Sequence, residues 1–486
     1  MSPDPNTIFI AVNSGFGARY LLRSDILPSL VAAGLKVVVL TPNADEDYFR
    51  REFEAAGAVV ELFDFEACRA YFLGSQLQIF LKELRWYAMP GRHDQGSLGA
   101  RFQAFKNICY AEGAKSKLRY HLIRLLRQPL MRWRWARRLL LALEERFFAG
   151  DAHAGLFRRH RPGLVITTSL GYFDYDQYIM REAKKHGARR CAVILSWDNT
   201  SGKGLPGAGA EHLVAWTEIM KQELVKYYDQ DPAKIFVGGV AHFDIYAHPE
   251  RWLSRQELCD RFGLDPERKI IFFGTRTPNK FPWTPDYIRL LAEAIKQGRL
   301  SQPCSLLVRL HPNHFQGEGG RLKFQDILDQ YEAIKAEYPF VAFNEPKILS
   351  TKLPSDMPAS EMIDLASLVG HSAMVISYYS TLMLEAAAVD TPIINFIMHA
   401  HNVHLGAGDR SVYTLEHIVR ICARGAERTA EGEDELIAAI NEALEHPELR
   451  RQGRALVKAE ELGPNQGRAG KAIAAHLAAL ARGEAR

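Results

Sequence analysis

The sequence contains few cysteines and places none of them close together. Its six cysteines are spread over 486 residues, and no two have the C-x-x-C spacing that is typical of structural zinc sites. We therefore expect reduced thiols and no structural zinc. As a separate expectation, the protein needs no cofactor and no metal ion. Reduced thiols in turn indicate a cytoplasmic protein.

Long apolar runs and a strong net charge are absent as well. No stretch reaches the roughly 18 consecutive apolar residues of a membrane-spanning helix, and the first residues lack the basic and apolar segments of a signal peptide. The formal net charge is only +4, so the composition gives no argument for a nucleic-acid partner, and none is expected. With 47% hydrophobic and 24% charged residues, the chain has the composition of a globular protein of two or three domains.

Short apolar runs that suit buried strands alternate with helical segments in two separate parts of the chain. This alternation predicts an α/β protein built from two Rossmann-like domains with parallel sheets. We expect the first domain over residues 1–240, with a helical insertion at about 66–155, a linker over 241–268, the second domain over 269–465 and a C-terminal helix over 466–486. The prediction includes one helix from about Arg19 to Ala33 and a helical, charged chain from Leu415 onward.

The segment from Met374 to Phe396 combines a strand, a polar turn, a helix and a second strand. Ser377 ends the first strand, and Ser380 and Thr381 stand where the cap of the helix is expected, so that two hydroxyls and unpaired backbone N–H groups would face an anion. Glu385 follows one turn later, on the same face of the helix as Thr381, and could accept hydrogen bonds from ribose hydroxyls. The alternative is an ordinary capped turn without a ligand.

Two other predicted strands of the second domain also end in polar clusters. One cluster begins at Gly274-Thr275-Arg276, and the other is Arg309-Leu-His311-Pro312-Asn313. Because the carboxyl ends of parallel strands meet at one edge of a sheet, all three turns should open on the same crevice. These positions are our candidates for a nucleotide-binding wall: Gly274, Thr275, Arg276, Arg309, His311, Pro312, Ser377, Ser380, Thr381 and Glu385.

Polar strand ends of the first domain would form the opposite wall. Ser14, Gly15 and Gly17 follow the first strand, but this turn lacks the third glycine of a dinucleotide fingerprint, so we interpret it as an acceptor-side loop or a plain tight turn. Two later strand ends contribute candidates to the same wall, with Asp176 close by. They are Asp174, Asp198 and Lys203.

The helical insertion contains a strongly basic segment from Lys115 to Leu143. It carries nine Lys or Arg residues and no acidic residue, interleaved with Leu, Ile, Met131, Trp133 and Trp135. Such a segment is typical of a helix that lies on an anionic membrane surface, here at the cytoplasmic face. The alternative is a solvated basic face on a packed pair of helices.

The order of these motifs resembles that of GT-B glycosyltransferases, which hold the donor nucleotide mainly in the second of two facing Rossmann-like domains. More narrowly, it resembles the CDP-glycerol glycerophosphotransferase superfamily and the related capsule polysaccharide transferases over roughly Cys191 to Phe396. The motifs concerned are Trp197-Asp198-Asn-Thr200-Ser-Gly-Lys203, Gly239-Val-Ala-His242-Phe-Asp244, Thr275-Arg276, Arg309-Leu-His311-Pro312 and Tyr379-Ser380-Thr381. The resemblance implies a GT-B fold, an acceptor domain followed by a donor domain, and a transferase.

Three positions depart from the motifs of that superfamily. Asp198 replaces its catalytic histidine, Ala241-His242 replaces a Pro-Arg pair, and Tyr379 replaces an aspartate. Similar His-Pro and serine-turn motifs occur in bacterial sialyltransferases and ketodeoxyoctonate transferases, which hold a cytidine monophosphate sugar. The resemblance therefore implies a cytidine or uridine sugar nucleotide as donor and a glycan, a lipid-linked molecule or a protein as acceptor.

Inverting transfer without a metal ion needs a base at the acceptor hydroxyl and positive groups at the departing phosphate. We assign the base to Asp198, because a partly desolvated position beside Trp197 should raise its affinity for a proton. Asp174 and Asp176 are the next candidates, and a turn-capping role is the alternative for Asp198. Arg276, Arg309 and His311 are assigned to the phosphate, although Arg309 could equally be a structural ion-pair partner.

Three other interpretations of the chain remain open at this point. A CDP-polyol phosphotransferase of the teichoic-acid type would use the same motif order. A sugar-nucleotide 2-epimerase shares the architecture but has no acceptor, and so would have little use for a basic aromatic insertion. A scaffold with an inactive GT-B fold would need neither Asp198 nor the Arg309-Leu-His311-Pro312 motif.

Overall fold

The computed structural model describes residues 2–91, 96–172, 175–318, 321–350, 352–397 and 415–484. Its first domain is built on a parallel sheet of seven strands in the order β3-β2-β1-β4-β5-β6-β7. The apolar residues at the centre of this sheet, among them Ile8, Val38 and Val165, are completely buried between helices on both faces. The strands are β1 Asp4–Ala11, β2 Lys36–Thr41, β3 Val59–Leu62, β4 Pro162–Thr167, β5 Arg189–Val193, β6 His212–Ala215 and β7 Ile235–Val237.

The second domain contains a parallel sheet of six strands in the order β12-β9-β8-β13-β14-β15, together with a separate two-stranded hairpin. This places β8 at the centre, between β9 and β13. The strands are β8 Lys269–Gly274, β9 Cys304–Arg309, β10 Gly317–Glu318, β11 Arg321–Leu322, β12 Val341–Asn344, β13 Met374–Ser377, β14 Ile393–Phe396 and β15 Glu427–Ala430.

Most helices of the two domains connect successive parallel strands, while Arg255–Phe262 precedes the second sheet and two helices follow its last strand. In the first domain the helices are Gly15–Gly17, Ile26–Ala32, Asp47–Ala55, Asp176–Lys185, Asn199–Gly202 and Glu218–Tyr228. In the second they are Arg255–Phe262, Thr284–Lys296, Gln325–Glu337, Ser360–His371, Leu382–Ala388, Glu416–Ala423, Glu433–Glu445 and Arg451–Glu461. The final helix, Ala469–Arg482, returns to the first domain, where Gly470 packs closely on Asp25.

Between β3 and β4 the chain forms helices with a small apolar core of their own, which includes Phe102, Phe105 and Tyr120. These helices are Phe65–Leu73, Gln76–Trp86, Gly96–Glu112, Ala114–Arg132, Arg134–Phe147 and Ala154–His160. Within the described ranges, no helix combines the length and the apolar content needed to cross a bilayer.

Two predicted elements differ from the structure. The single helix predicted from Arg19 to Ala33 is interrupted, because a π-helical turn ends at Leu22 and a new helix begins only at Ile26. At the interruption the Ser24 hydroxyl donates to the carbonyl of Tyr20, so a side chain competes with the backbone ladder. The all-helical prediction after Leu415 is also wrong, because the polar residues Glu427–Ala430 form the edge strand β15.

The two domains are joined directly by polar contacts on one side of the molecule. Asp356 of the second domain accepts hydrogen bonds from Arg23 at 2.6 Å and from the Tyr48 hydroxyl at 2.5 Å. The Gly15 N–H donates to Pro354 at 2.8 Å, and a Cβ atom at Gly15 would lie 2.0 Å from the carbonyl oxygen of Ser355. Close approach of the second domain therefore explains the glycine at this position.

Candidate active site

A cleft of about 710 Å³ separates the two domains at the carboxyl ends of their sheets. Segments that follow β1, β5, β8, β9 and β13 line it, as do residues of the helical insertion and of the helix Glu416–Ala423. The predicted site residues that the structure brings together here are Asp198, Lys203, Gly274, Thr275, Arg276, Arg309, His311, Pro312, Ser380, Thr381 and Glu385.

Several predicted residues do not line this cleft. Ser14 caps the N–H of Gly17, and Gly15 contacts the second domain. A Cβ atom at Gly17 would lie 3.0 Å from the Thr168 side chain, so these three residues serve packing, while Phe16 between them lines the cleft. Ser377 is buried beneath the cleft beside Asn395. Asp174 lies outside the described residues.

Asp176, the other candidate base in the first domain, is completely buried away from the cleft. It accepts hydrogen bonds from Asn13 at 2.8 Å and from Ser169 at 2.5 Å. Burial raises the pKa of Asp176 to about 7, because its effect is larger than that of the two hydrogen bonds, which lower the pKa. The carboxyl therefore belongs to a structural network between the ends of β1 and β4.

The turns after β8 and β9 hold each other in place. The Thr275 N–H donates to the carbonyl of Arg309 at 3.0 Å, and the Thr275 hydroxyl accepts from the His311 N–H at 2.8 Å. A Cβ atom at Gly274 would lie 2.0 Å from a methyl carbon of Leu382, so a larger residue would have to displace the Leu382 side chain at the start of the helix Leu382–Ala388. The strand ends thus form one rigid wall of the cleft.

His311 presents a neutral imidazole to the cleft. The Asn313 N–H donates to its Nδ1 at 3.1 Å, which leaves the ring hydrogen on Nε2. Burial, followed by the nearby His314, Arg276 and Arg309, lowers its pKa to about 4. At neutral pH the ring is therefore an uncharged hydrogen-bond donor through Nε2.

Arg309 and Arg276 are largely committed to protein contacts. Arg309 donates to Glu361 at 2.8 Å and also bonds the side chain of Asn344. It therefore forms a structural ion pair, which was the alternative to its predicted role as a phosphate ligand. Arg276 donates through Nη1 to the carbonyls of Tyr378 and Tyr379, each at 2.9 Å. Because Tyr379 has a positive φ of 42°, these contacts stabilise a strained turn at the end of β13.

Of the two hydroxyls expected at the cap of the helix after β13, only one makes a capping hydrogen bond. Ser380, not Thr381, accepts a hydrogen bond from the Leu382 N–H, at 3.3 Å, and Thr381 makes no side-chain cap. The Thr381 side chain is exposed at the cleft. Tyr379, which replaces the aspartate of the resembling motif, directs its hydroxyl to Thr429 at 2.7 Å.

Asp198 lies on the opposite wall, 3.7 Å from the Nζ of Lys203, with its side chain about one-third exposed. Burial alone would raise its pKa, but Lys203, a hydrogen bond with Ser196 and His417 together outweigh burial, so its pKa lies below the ordinary value. The expectation of a raised proton affinity is therefore wrong. The reason is the lysine five residues further along the same loop.

The structure adds cleft residues that the sequence did not indicate. Arg19 and Arg101 come from the first domain, and His417 comes from the second, with its ring 4.6 Å from that of Trp197. Among the described residues, the Arg19 Nε and the Glu385 Oε2 atoms are buried without a hydrogen-bond partner, although they face the same cleft from different domains. No local pattern reveals such residues, because only the packing of the two domains brings them together.

No protein-family model matches the chain, and no curated protein matches it either. Its fold, however, is similar to those of solved structures. A UDP-GlcNAc 2-epimerase from Neisseria meningitidis bound to UDP-GlcNAc has 11% identity, coverage of 97% of this chain and 99% of that chain, and a TM-score of 0.53. A glycosyltransferase from Rickettsia africae has 11% identity, 98% coverage of both chains and a TM-score of 0.50. A variant of the wall teichoic acid polymerase TagF has 10% identity, coverage of 99% and 90%, and a TM-score of 0.51.

At these identities the similarity concerns the fold alone. The matches extend over nearly the whole of this chain, so they include both sheets and the cleft between them. Two facing Rossmann-like domains with the cleft at the carboxyl ends of their strands are the arrangement that the motif order predicts. The chain therefore has the GT-B fold.

Proposed function

We propose that this chain is an inverting, metal-independent glycosyltransferase that moves a sugar from a cytidine or uridine nucleotide to a glycan, lipid-linked or protein acceptor. The observation that carries this proposal is the charge distribution of the interdomain cleft. Of its described lining residues, six are Lys or Arg and two are acidic. A cleft with this excess of positive charge suits the phosphate groups of a nucleotide sugar.

In the proposed donor site, the phosphate lies against the wall formed by the ends of β8 and β9. The His311 Nε2–H and the Lys280 side chain would donate hydrogen bonds to it, and Arg19 would approach it from the first domain. Glu385, whose carboxylate lies near Arg19 and Tyr246, would accept hydrogen bonds from the ribose through its Oε2, which has no hydrogen-bond partner among the described residues. Arg276 and Arg309 would act indirectly, because their guanidinium groups hold the turns in place.

In the proposed reaction, an acceptor hydroxyl oxygen attacks the anomeric carbon while the bond to the phosphate oxygen breaks. Asp198, which is ionised at neutral pH, takes the proton of the attacking hydroxyl, although its lowered pKa makes it a weaker base than an ordinary aspartate. The negative charge that develops on the leaving phosphate is stabilised by the cations and the His311 N–H of the opposite wall. No step requires a metal ion.

The transferase interpretation is favoured over a 2-epimerase by the way the insertion enters the cleft. Trp86, Ser97 and Arg101 of the insertion line the same cleft as Asp198. An epimerase acts on a single bound nucleotide sugar and needs no second substrate site. A second charged wall next to the proposed base is what a transferase needs for its acceptor.

We also propose that the segment from Lys115 to Leu143 places the protein on an anionic membrane surface. Seven of its nine basic residues are exposed, whereas Arg127 and Arg137 are held in contacts within the protein. Large apolar side chains are exposed among them. They are Leu118, Leu122, Leu125, Leu126, Trp133, Trp135, Leu139 and Leu143, with Leu118 at 71% exposure and Leu125 at 68%.

The spacing of these apolar residues supports a surface interaction. Leu118, Leu122 and Leu125 follow at intervals of four and three residues, so they form one stripe along the helix Ala114–Arg132. Trp133 and Trp135 stack at 5.7 Å where this helix meets the next. Apolar residues and tryptophans flanked by basic side chains match the boundary between acyl chains and anionic headgroups.

Titration calorimetry with UDP, CDP and CMP tests the donor site. We expect at least one of these nucleotides to bind, and His311→Ala to weaken its binding at least tenfold because a charge-assisted hydrogen bond is lost. His446→Ala, at an exposed histidine outside the cleft, is the matched control and should bind as the wild type does. Excess EDTA should change neither result. Failure of all three nucleotides to bind would overturn the proposal.

A further inference from the structure

The wall of the cleft contributed by the helical insertion is separate from the proposed donor wall. Trp86 ends the helix Gln76–Trp86, and Arg101 lies on the next helix, Gly96–Glu112. The Arg101 guanidinium lies over the Trp86 ring, 4.6 Å from its centroid, and its Nε donates to the carbonyl of Ser97 at 3.4 Å. These contacts fix the plane of the guanidinium.

Another nitrogen of the Arg101 guanidinium lacks a hydrogen-bond partner in the part of the chain that the structure describes. Its Nη2 is buried and has no hydrogen-bond partner among the described residues. A buried donor without a partner is unfavourable, and a bound acceptor group would remove that cost. The nearby Glu416 and Asp198 carboxylates attract the guanidinium electrostatically, and each also has another partner: Glu416 accepts from Ser97 at 2.9 Å, and Asp198 lies 3.7 Å from the Nζ of Lys203.

The loop that carries Asp198 and Lys203 is packed directly on this wall. The Leu205 N–H donates to the carbonyl of Arg85 at 2.9 Å. At Gly204, a Cβ atom would lie 2.2 Å from that same oxygen and 2.6 Å from the carbonyl oxygen of Trp86, so only glycine allows this approach. Packing therefore holds the proposed base next to the Trp86–Arg101 pair.

From this juxtaposition we propose that Trp86, Arg101 and Lys203 form an acceptor subsite for a sugar or polyol that carries a carboxylate or phosphate group. The inference rests on the proposed function, because it assigns this wall to the acceptor. The Arg101 guanidinium binds the anionic group, Lys203 adds a second positive charge, and the Trp86 ring faces the carbon skeleton. An adjacent hydroxyl of the same molecule then lies near Asp198.

The position of the subsite agrees with an acceptor that is attached to a membrane. Ile108 follows Arg101 by seven positions on the same helix, which corresponds to a rise of roughly 10 Å along the helix axis. Ile108 is 54% exposed and Tyr110 is 42% exposed at that end of the helix, next to the proposed membrane surface. The helix thus extends from the cleft toward the proposed membrane surface.

Binding of small probes to the full-length protein tests this subsite. The probes are methyl glucuronide for a carboxylate, glycerol 3-phosphate for a phosphate and methyl glucoside as the neutral reference. We expect wild type to bind at least one anionic probe ten times more tightly than methyl glucoside, and Arg101→Gln to weaken that binding at least tenfold. The tighter of the two anionic probes identifies the anionic group. Lys106→Gln removes a charge from the same helix outside the cleft and should bind the probes as wild type does.

Two further measurements make the result decisive. Arg101→Lys keeps the charge but loses the planar pair of donors, so it should retain part of the preference if the variant protein is folded. Nucleotide binding should fall far less in Arg101→Gln than in His311→Ala, because Arg101 lies on the wall opposite the proposed donor site. If the variant instead loses nucleotide binding, or if wild type does not distinguish charged from neutral probes, the acceptor subsite is overturned. Anionic-probe binding that depends on Arg101 in a protein that binds no nucleotide would support the subsite while refuting the proposed donor.

Discussion

Asp198 is the residue on which the proposed chemistry depends, and its asparagine variant separates two roles. If Asp198 takes the acceptor proton, Asp198→Asn should bind nucleotide normally while transfer falls by about 10²–10⁴. If Asp198 only caps its loop, asparagine serves equally well and transfer should continue. Calorimetry and the transfer rate measured on the same preparation show which role applies.

Asp260→Asn is the matched control, because Asp260 lies exposed on the helix Arg255–Phe262, away from the cleft. It should transfer at the wild-type rate. Wild-type transfer by Asp198→Asn would remove the base role from this residue. The neutral His417, which faces the same loop and whose pKa burial lowers to about 4, would then be the next residue to change.

Arg309 and His311 are adjacent in the motif but should respond differently to alanine. Removing Arg309 leaves Glu361, whose side chain is only 6% exposed, without its charge partner, and such a loss typically costs about 3–5 kcal/mol. Arg309→Ala should therefore lower the free energy of unfolding as well as activity, whereas His311→Ala should lower activity with a much smaller loss of stability. Chemical denaturation of the two variants measures this.

The double variant Arg309→Met, Glu361→Leu is the control for that experiment. It removes both charges at once, so it should recover much of the stability that Arg309→Ala loses. Equal stability of Arg309→Ala and wild type would show that the ion pair contributes little. In that case Arg309 would again be a candidate ligand of the phosphate.

At the scale of single elements, the helices Ala114–Arg132 and Arg134–Phe147 should bind anionic vesicles. Each basic residue near the surface contributes about 1 kcal/mol, so replacing Arg124, Arg132 and Arg138 by Gln should weaken binding on the order of a hundredfold. Binding should also decrease as salt is added, because exposed charges are screened. Co-sedimentation with phosphatidylserine and phosphatidylcholine vesicles measures both effects.

Lys335→Gln provides the control, because Lys335 is exposed on the helix Gln325–Glu337 of the other domain. It should bind vesicles as wild type does. Trp133→Ala with Trp135→Ala should weaken binding even at high salt, since these side chains contribute apolar contact. Equal sedimentation with neutral and anionic lipid would contradict the membrane role, and a concentration-dependent dimer would identify a second copy of the chain as the partner.

At the scale of the whole molecule, the sequence predicts the fold class better than the details. The α/β architecture of two parallel sheets is confirmed, because alternating apolar strands and amphipathic helices permit few other arrangements. Met374–Ser377 and Leu382–Ala388 form at the predicted residues. The strand Glu427–Ala430 was missed because its pairing with Ile393–Phe396, not its own composition, makes it a strand.

For the site, too, the general arrangement could be predicted from the sequence but the detailed contacts could not. Strand-end residues such as Thr275 and His311 could be predicted to share a crevice, because parallel strands end at one edge of a sheet. The contacts that each side chain makes could not be predicted. Arg309 bonds Asn344 and Glu361, which lie far from it in the sequence, and Lys203 contributes to the lowered pKa of Asp198. Arg101 enters the cleft only because the insertion folds back between the domains.

The proposed activity of the interdomain cleft is transfer of a sugar from a nucleotide donor to an acceptor. It is tested most directly by incubating the full-length protein with a panel of UDP- and CMP-sugars, with and without anionic glycan or lipid-linked acceptors, and measuring nucleotide release and the fate of the sugar. We expect one donor to release its nucleotide in an acceptor-dependent reaction that joins the sugar to the acceptor. Epimerised nucleotide sugar without release, or no turnover of any donor, would contradict it.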